Sequence, residues 1–108
     1  MTIITICGDV FKYEHEITYI TEQMTCSGQY CVFTPVMPFV KHKTTLGYTA
    51  TAIGHLNKAH RKKIELSSAI LVMDDNGRLS DLDKCWVEYA KKQNKQVLYY
   101  SQEIKNWR

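Results

Sequence analysis

Ala69-Ile70-Leu71-Val72-Met73-Asp74-Asp75-Asn76-Gly77 is the stretch that decides the fold. Its first five residues are continuously apolar, the mark of a strand covered on both faces, as strands of a parallel sheet are. The Asp-Asp-Asn-Gly that follows is a strong turn signal, because Asn and Gly accept backbone conformations that most residues resist. Upstream, Thr2–Cys7 (TIITIC) is rich in β-branched residues and almost wholly apolar, and it stops at Gly8-Asp9. Two further strands are expected at Tyr30–Phe33, ended by Pro35, and at Val97–Tyr100.

Helical spacing fills the gaps between these strands. Tyr13, Ile17, Ile20 and Met24 recur three or four residues apart and predict a helix over Lys12–Met24, closed by Ser27-Gly28. A second helix is expected from Thr49 to Leu66, weakened by Gly54 and only partly periodic through Ile53, Leu56, Ile64 and Leu66. A third starts at Ser80 or Asp81, residues that cap a helix by accepting a free backbone N–H, with an apolar stripe of Leu82, Cys85, Trp86, Tyr89 and Ala90. Pro35–Tyr48 reads as a long loop, a length that compact domains keep for lids or binding segments. The regular alternation of strand and helix is that of a doubly wound α/β sheet, a single domain over residues 1–101 followed by a polar tail, 102–108.

Composition narrows the function classes. At 108 residues, 44% hydrophobic and 23% charged, the chain is an ordinary globular domain and not a disordered one. No apolar run reaches the ~18 residues of a membrane span, and neither a membrane nor a signal peptide is expected. The net charge of +3 and the pI of 8.7 fall short of the basic excess, pI above about 9, that marks a nucleic-acid footprint. Lys58, Arg61, Lys62 and Lys63, and Lys91, Lys92 and Lys95, read as solvated helix faces. Cys7, Cys26, Cys31 and Cys85 form no C-x-x-C pair and no zinc spacing. Cys7, Cys31 and Cys85 fall in apolar patterns where a free thiol packs as a small hydrophobe, which suits a reducing cytoplasm. No metal and no cofactor is expected, and His15, His42 and His55 show no partner pattern for a metal or a nucleophile triad.

In open parallel sheets ligands bind beyond the carboxyl ends of the strands. Gly8, Asp9 and Phe11 after the first strand, Thr34–Pro38 after the second, and Asp74, Asn76, Gly77 and Ser80 after the third all fall on that edge. Gly8 lets the backbone approach a ligand, although a lone glycine after a strand is more often just a turn. Asp74 admits two readings, a carboxylate for ribose hydroxyls or catalysis and a turn residue, whereas Asp75 reads as turn. Asp74 and Asp81 are the candidate catalytic carboxylates. His60 lies on the side of Leu56 and Ile64 and is expected to be partly buried, as a pocket residue or a helix-face histidine. Trp86 belongs to the apolar stripe, as core or pocket wall. Glu88 shares the opposite face with Asp81, Lys84 and Lys92 and is expected to be solvated, paired with one of the lysines.

The segment His60-Arg-Lys-Lys-Ile-Glu-Leu-Ser-Ser-Ala-Ile-Leu-Val-Met, the glycine-containing turn, the helix with Val87-Glu88-Tyr89-Ala90, and Lys95-Gln96-Val97-Leu98-Tyr99-Tyr100 together resemble the nucleoside 2-deoxyribosyltransferase-like proteins. Ile6-Cys7-Gly8 is similar to that group's opening strand and its C-G-S turn. The resemblance spans most of the chain and implies a flavodoxin-like three-layer sandwich with four or five parallel strands. It also implies a homo-oligomer and a pocket for a nucleoside, nucleotide or related base–sugar compound. In the group's active members the first glutamate of E-x-x-Y-A attacks the anomeric carbon and forms a covalent glycosyl intermediate. With Tyr89-Ala90 fixing the register, that position is Trp86 here, and Glu88 lies roughly 200° further round the helix. The aspartate that often opens the strand is Ser68. An indole cannot act as a carboxylate nucleophile, but it can stack on a base. The leading expectation is therefore a small-molecule binding module without the covalent transferase chemistry. The alternatives are an active N-glycosidase or transferase using Asp74 or Asp81, and a protein-interaction domain whose pocket is filled.

Overall fold

The computed structural model describes residues 1–37 and 48–107; positions 38–47 of the expected loop lie outside the described residues. Four strands, β1 (Thr2–Cys7), β2 (Tyr30–Phe33), β3 (Ala69–Val72) and β4 (Gln96–Tyr99), form one all-parallel sheet in the order β2-β1-β3-β4. Helices α1 (Glu14–Cys26), α2 (Ala50–Leu66) and α3 (Asp81–Lys92) make the crossovers, and a short α4 (Tyr100–Glu103) leads into a 3₁₀ turn, Ile104–Asn106. This is the α/β three-layer sandwich expected from the alternation, in the small flavodoxin-like arrangement.

The two faces of the sheet follow from strand periodicity. Ile4 and Ile6 of β1 and Ala69 and Leu71 of β3 point to one side, where Ile17, Ile20 and Met24 of α1 cover them. Cys7, Ile70 and Val72 point to the other side, against Ile64 of α2 and Val87 and Ala90 of α3. Thr5, the polar residue in the centre of β1, is fully buried and satisfied by the Ser67 hydroxyl at 2.6 Å, which in turn donates to the Lys63 carbonyl.

Several element boundaries differ from the sequence-based expectation, each for a local reason. α1 begins at Glu14 because Asp9 first organises a turn. Its Oδ1 accepts the N–H groups of Phe11 and Lys12, and its carbonyl accepts that of Tyr13. The buried face of α3 is Asp83, Val87 and Ala90, with Trp86 beside it, which rotates the expected stripe: Leu82 is 57% exposed and Cys85 is exposed. Cys85 therefore does not pack as a hydrophobe, whereas Cys7 does and Cys31 is half-buried. Lys84 meets Asp81 at 3.8 Å, not Glu88, in an exposed pair of little energetic weight. Residues 102–107 are not a free polar tail. Ile104 is 6% exposed in the α1-side core, Trp107 meets Tyr30 edge-to-face at 6.1 Å, and the Tyr19 hydroxyl donates to the Trp107 carbonyl.

Candidate functional site

Strand order reverses between β1 and β3: the chain leaves β1 towards one edge of the sheet and returns to fill the other. Their carboxyl ends, and the helices that follow, splay apart at that point. Gly8 allows the closest approach there. A Cβ at this position would lie 2.5 Å from Cγ and 2.7 Å from Cβ of the buried Met73, so only glycine lets the end of β1 press against the end of β3. Above this junction opens a cleft of about 700 Å³, bounded by the β1 loop (Gly8–Phe11), Pro35 and Val36 after β2, one side of α2, and the first turns of α3. Its volume falls within the usual range for small-molecule sites, about 300–1,000 Å³.

Of the residues singled out from sequence, Gly8, Asp9, Phe11, His60, Ser80 and Trp86 line this cleft together. Asp74, Asn76 and Gly77 do not. The Asp74 side chain is 4% exposed and turned towards α4: Oδ2 accepts from the Gly77 N–H and the Ser101 hydroxyl, both at 2.6 Å, and Oδ1 accepts from the Ser101 N–H at 2.8 Å. These three hydrogen bonds hold the β3 turn against the start of α4, and Asp74 does not line the cleft. Asn76 and Gly77 take positive φ, 50° and 91°, and serve that turn. Asp81, the other candidate catalytic carboxylate, stands outside the cleft with its side chain in solvent.

One wall of the cleft is aromatic. Trp86 is half-buried and faces the open volume, and the His60 ring meets it edge-to-face at 4.8 Å. His60 Nε2 lies 3.3 Å from the Cys7 sulfur at the end of β1. Burial, and secondarily the charge of Lys63, pushes the imidazole down to about 4, so His60 is neutral at physiological pH. Burial drives the Cys7 thiol far up, aided by the Asp83 charge, which leaves it a protonated partner for the ring and not a nucleophile. Lys63 also lines the cleft, but its ammonium donates to the Thr34 carbonyl at 2.7 Å and so ties α2 to the end of β2.

Asp83 is the site residue that sequence reasoning missed. It is 5% exposed, three residues into α3, and lines the cleft. Ser80 and Asp83 form a reciprocal cap: the Asp83 N–H reaches Ser80 Oγ at 3.2 Å, and the Ser80 hydroxyl donates to Asp83 Oδ2 at 2.9 Å. Burial raises the Asp83 carboxyl above its ordinary range, the Ser80 hydrogen bond opposes this, and the nearby Asp9 charge adds to it. The signal was present in the spacing Ser80-x-x-Asp83, which marks a capping box. A second, smaller concavity of about 370 Å³, lined by Lys12, Tyr13, Asp75 and Arg78, meets the cleft at Asp9, Ser80 and Asp83.

Among the described residues no cluster of His, Cys, Asp and Glu could hold a metal ion, and no helix is long and apolar enough to cross a membrane. No family model matches the chain, and no curated protein or solved structure matches it either.

Proposed function

We propose that the cleft at the β1/β3 switch binds a nucleoside or nucleotide-sugar compound without the covalent chemistry of the nucleoside 2-deoxyribosyltransferase-like proteins that the sequence resembles. The observation that carries this reading is Trp86: it walls an open cleft of about 700 Å³ instead of filling it. An indole flanked by a neutral imidazole at 4.8 Å offers a flat, uncharged surface on which a base can stack. Phe11 of the β1 loop and Leu56 on α2 extend the apolar lining, and Asn57, Ser80 and Asp83 supply the few polar groups that fix orientation.

The enzymatic alternative loses its two nominated carboxylates. Asp74 is committed to the turn and α4, and Asp81 stands outside the cleft. Asp83 is the carboxylate that keeps an N-glycosidase reading open, because it lies one helical turn before Trp86 and lines the same cleft.

The test is a thermal-shift screen against nucleosides, nucleotides, NAD, ADP-ribose and cyclic nucleotides, with chemical recovery of each hit. A ligand at 100 times its Kd stabilises the fold by about 2.7 kcal/mol, a rise of several degrees in Tm. A shift with the ligand recovered intact supports the binding module. Release of free base supports the enzyme. No shift across the panel rejects both.

A further inference from the structure

The cleft carries an electrostatic asymmetry that bears on which ligand it takes. Among the described residues its lining has two carboxylates, the exposed Asp9, which caps the β1 turn, and the buried Asp83, and the Asp9 charge opposes ionisation of Asp83. Its described cation, Lys63, is spent on the Thr34 carbonyl. In the adjoining concavity Arg78 meets Asp75 at 3.4 Å in an exposed pair, and the Lys12 ammonium lies 5.1 Å from the centre of the Tyr13 ring.

Asp83 differs from an ordinary helix cap in two respects. A cap at the third position of a helix is normally solvated, whereas this one is 95% removed from solvent (5% exposed) and lines the cleft. A carboxylate has roughly four lone-pair sites, and Ser80 supplies one side-chain hydrogen bond, to Oδ2. A buried carboxylate with spare acceptor capacity gains from a ligand that brings hydroxyl or N–H donors, and loses from one that brings a second negative charge.

We infer that Asp83 determines ligand choice at this cleft, receiving the hydrogen-bond donors of an uncharged nucleoside and turning away its phosphorylated counterpart. The inference rests on the nucleoside reading above and narrows it. Asp83 acts here as a specificity-determining residue, and Asp9 is a second carboxylate in the same lining.

Isothermal titration of the full chain with adenosine, guanosine, cytidine and thymidine, each against its own 5′-monophosphate at neutral pH, tests this. The expected result is that the nucleoside which binds does so at least tenfold more tightly than its monophosphate. In Asp83→Asn, nearly isosteric and able to accept from Ser80, that ratio should fall at least threefold, with the nucleoside weakened and the monophosphate gaining. Equal or tighter binding of the monophosphate by the wild-type chain overturns the inference and leaves the nucleoside reading standing. So does a ratio unchanged in a folded Asp83→Asn, since a purely structural cap would affect both ligands alike. Should the variant fail to fold, the wild-type ratio decides alone. No binding by any member of the panel overturns the nucleoside reading and the inference together.

Discussion

Asp74 and Asp83 are buried to nearly the same degree, 4% and 5% exposed, and follow the same strand, yet they have opposite dispositions. Asp74 receives hydrogen bonds from one backbone N–H of its own turn and from the N–H and hydroxyl of Ser101, and it faces away from the cleft. Asp83 receives one from Ser80 and faces into it. Equal burial therefore goes with unequal numbers of accepted hydrogen bonds and with opposite orientations to the cleft. What separates the two aspartates is how much of the acceptor capacity the fold has already consumed.

The most damaging way to break this comparison is Asp74→Ala. Hydrogen bonds to a charged group contribute about 1.5–3 kcal/mol each but are not additive, and the substitution also strands the Ser101 N–H. A loss of about 3–4 kcal/mol in denaturant unfolding is expected. By contrast, Asp83→Asn should shift unfolding stability by less than about 1 kcal/mol, because it removes a desolvated charge and keeps the cap. A loss as large as that of Asp74→Ala would make the two aspartates equivalent and remove the contrast.

His60 sharpens the comparison through pH. Its folded pKa, about 4, lies below the ordinary 6.5, so the unfolded chain binds more protons between these values. The stability it contributes is present above pH 6.5 and is lost as pH falls towards 4. A shift of that size corresponds to at most about 3–4 kcal/mol, and less for a partly exposed ring. Asp83, raised in the fold, has the opposite slope above the ordinary carboxylate range: its contribution is lost as pH rises through the folded value. Subtracting the stability–pH curve of His60→Gln from that of the wild type isolates the histidine. A flat difference between pH 4 and 6.5 would contradict the burial argument.

Smaller effects come from the close approach of strand ends and from the aromatic wall. Gly8→Ala forces a Cβ onto Met73, an overpacking cost of about 1–3 kcal/mol by denaturation. Trp86→Ala should weaken nucleoside binding by about 1–3 kcal/mol, the range for loss of a base-stacking aromatic. Its effect on stability should be smaller than that of a core truncation, because the ring is only half-buried.

The fold was legible where burial enforces a pattern. β1 and β3 are apolar on both faces because helices cover both, and the alternation around them leaves little choice of architecture. The cleft was legible in part, because the switch-point rule places Gly8, Asp9 and Ser80 at one edge and the helical phase of Leu56 and Ile64 brings His60 to it. The roles of Asp74 and Asp83 were not legible. Whether a strand-end aspartate faces a ligand or a turn depends on where Ser101 lies, a contact across 27 positions that no local pattern encodes. The phase of α3 failed for a related reason: the polar Asp83 occupies a buried position, and an apolar-stripe argument passes over it.

The clasp of Ser101 on Asp74 also bears on the timing of folding. The β3 turn acquires its last hydrogen-bond partners from a residue 27 positions later, and the α1-side core is completed by Ile104, a hundred residues after Ile4. Contacts of such long sequence separation are slow to form, because the chain loses loop entropy before they reward it. A nascent chain halted at Tyr99 would have every strand of the sheet and still lack the clasp. It would hold a buried carboxylate without its Ser101 donors and an uncovered patch over β1 and β3. A chain truncated after Tyr99 is thus expected to unfold at lower denaturant than the full chain.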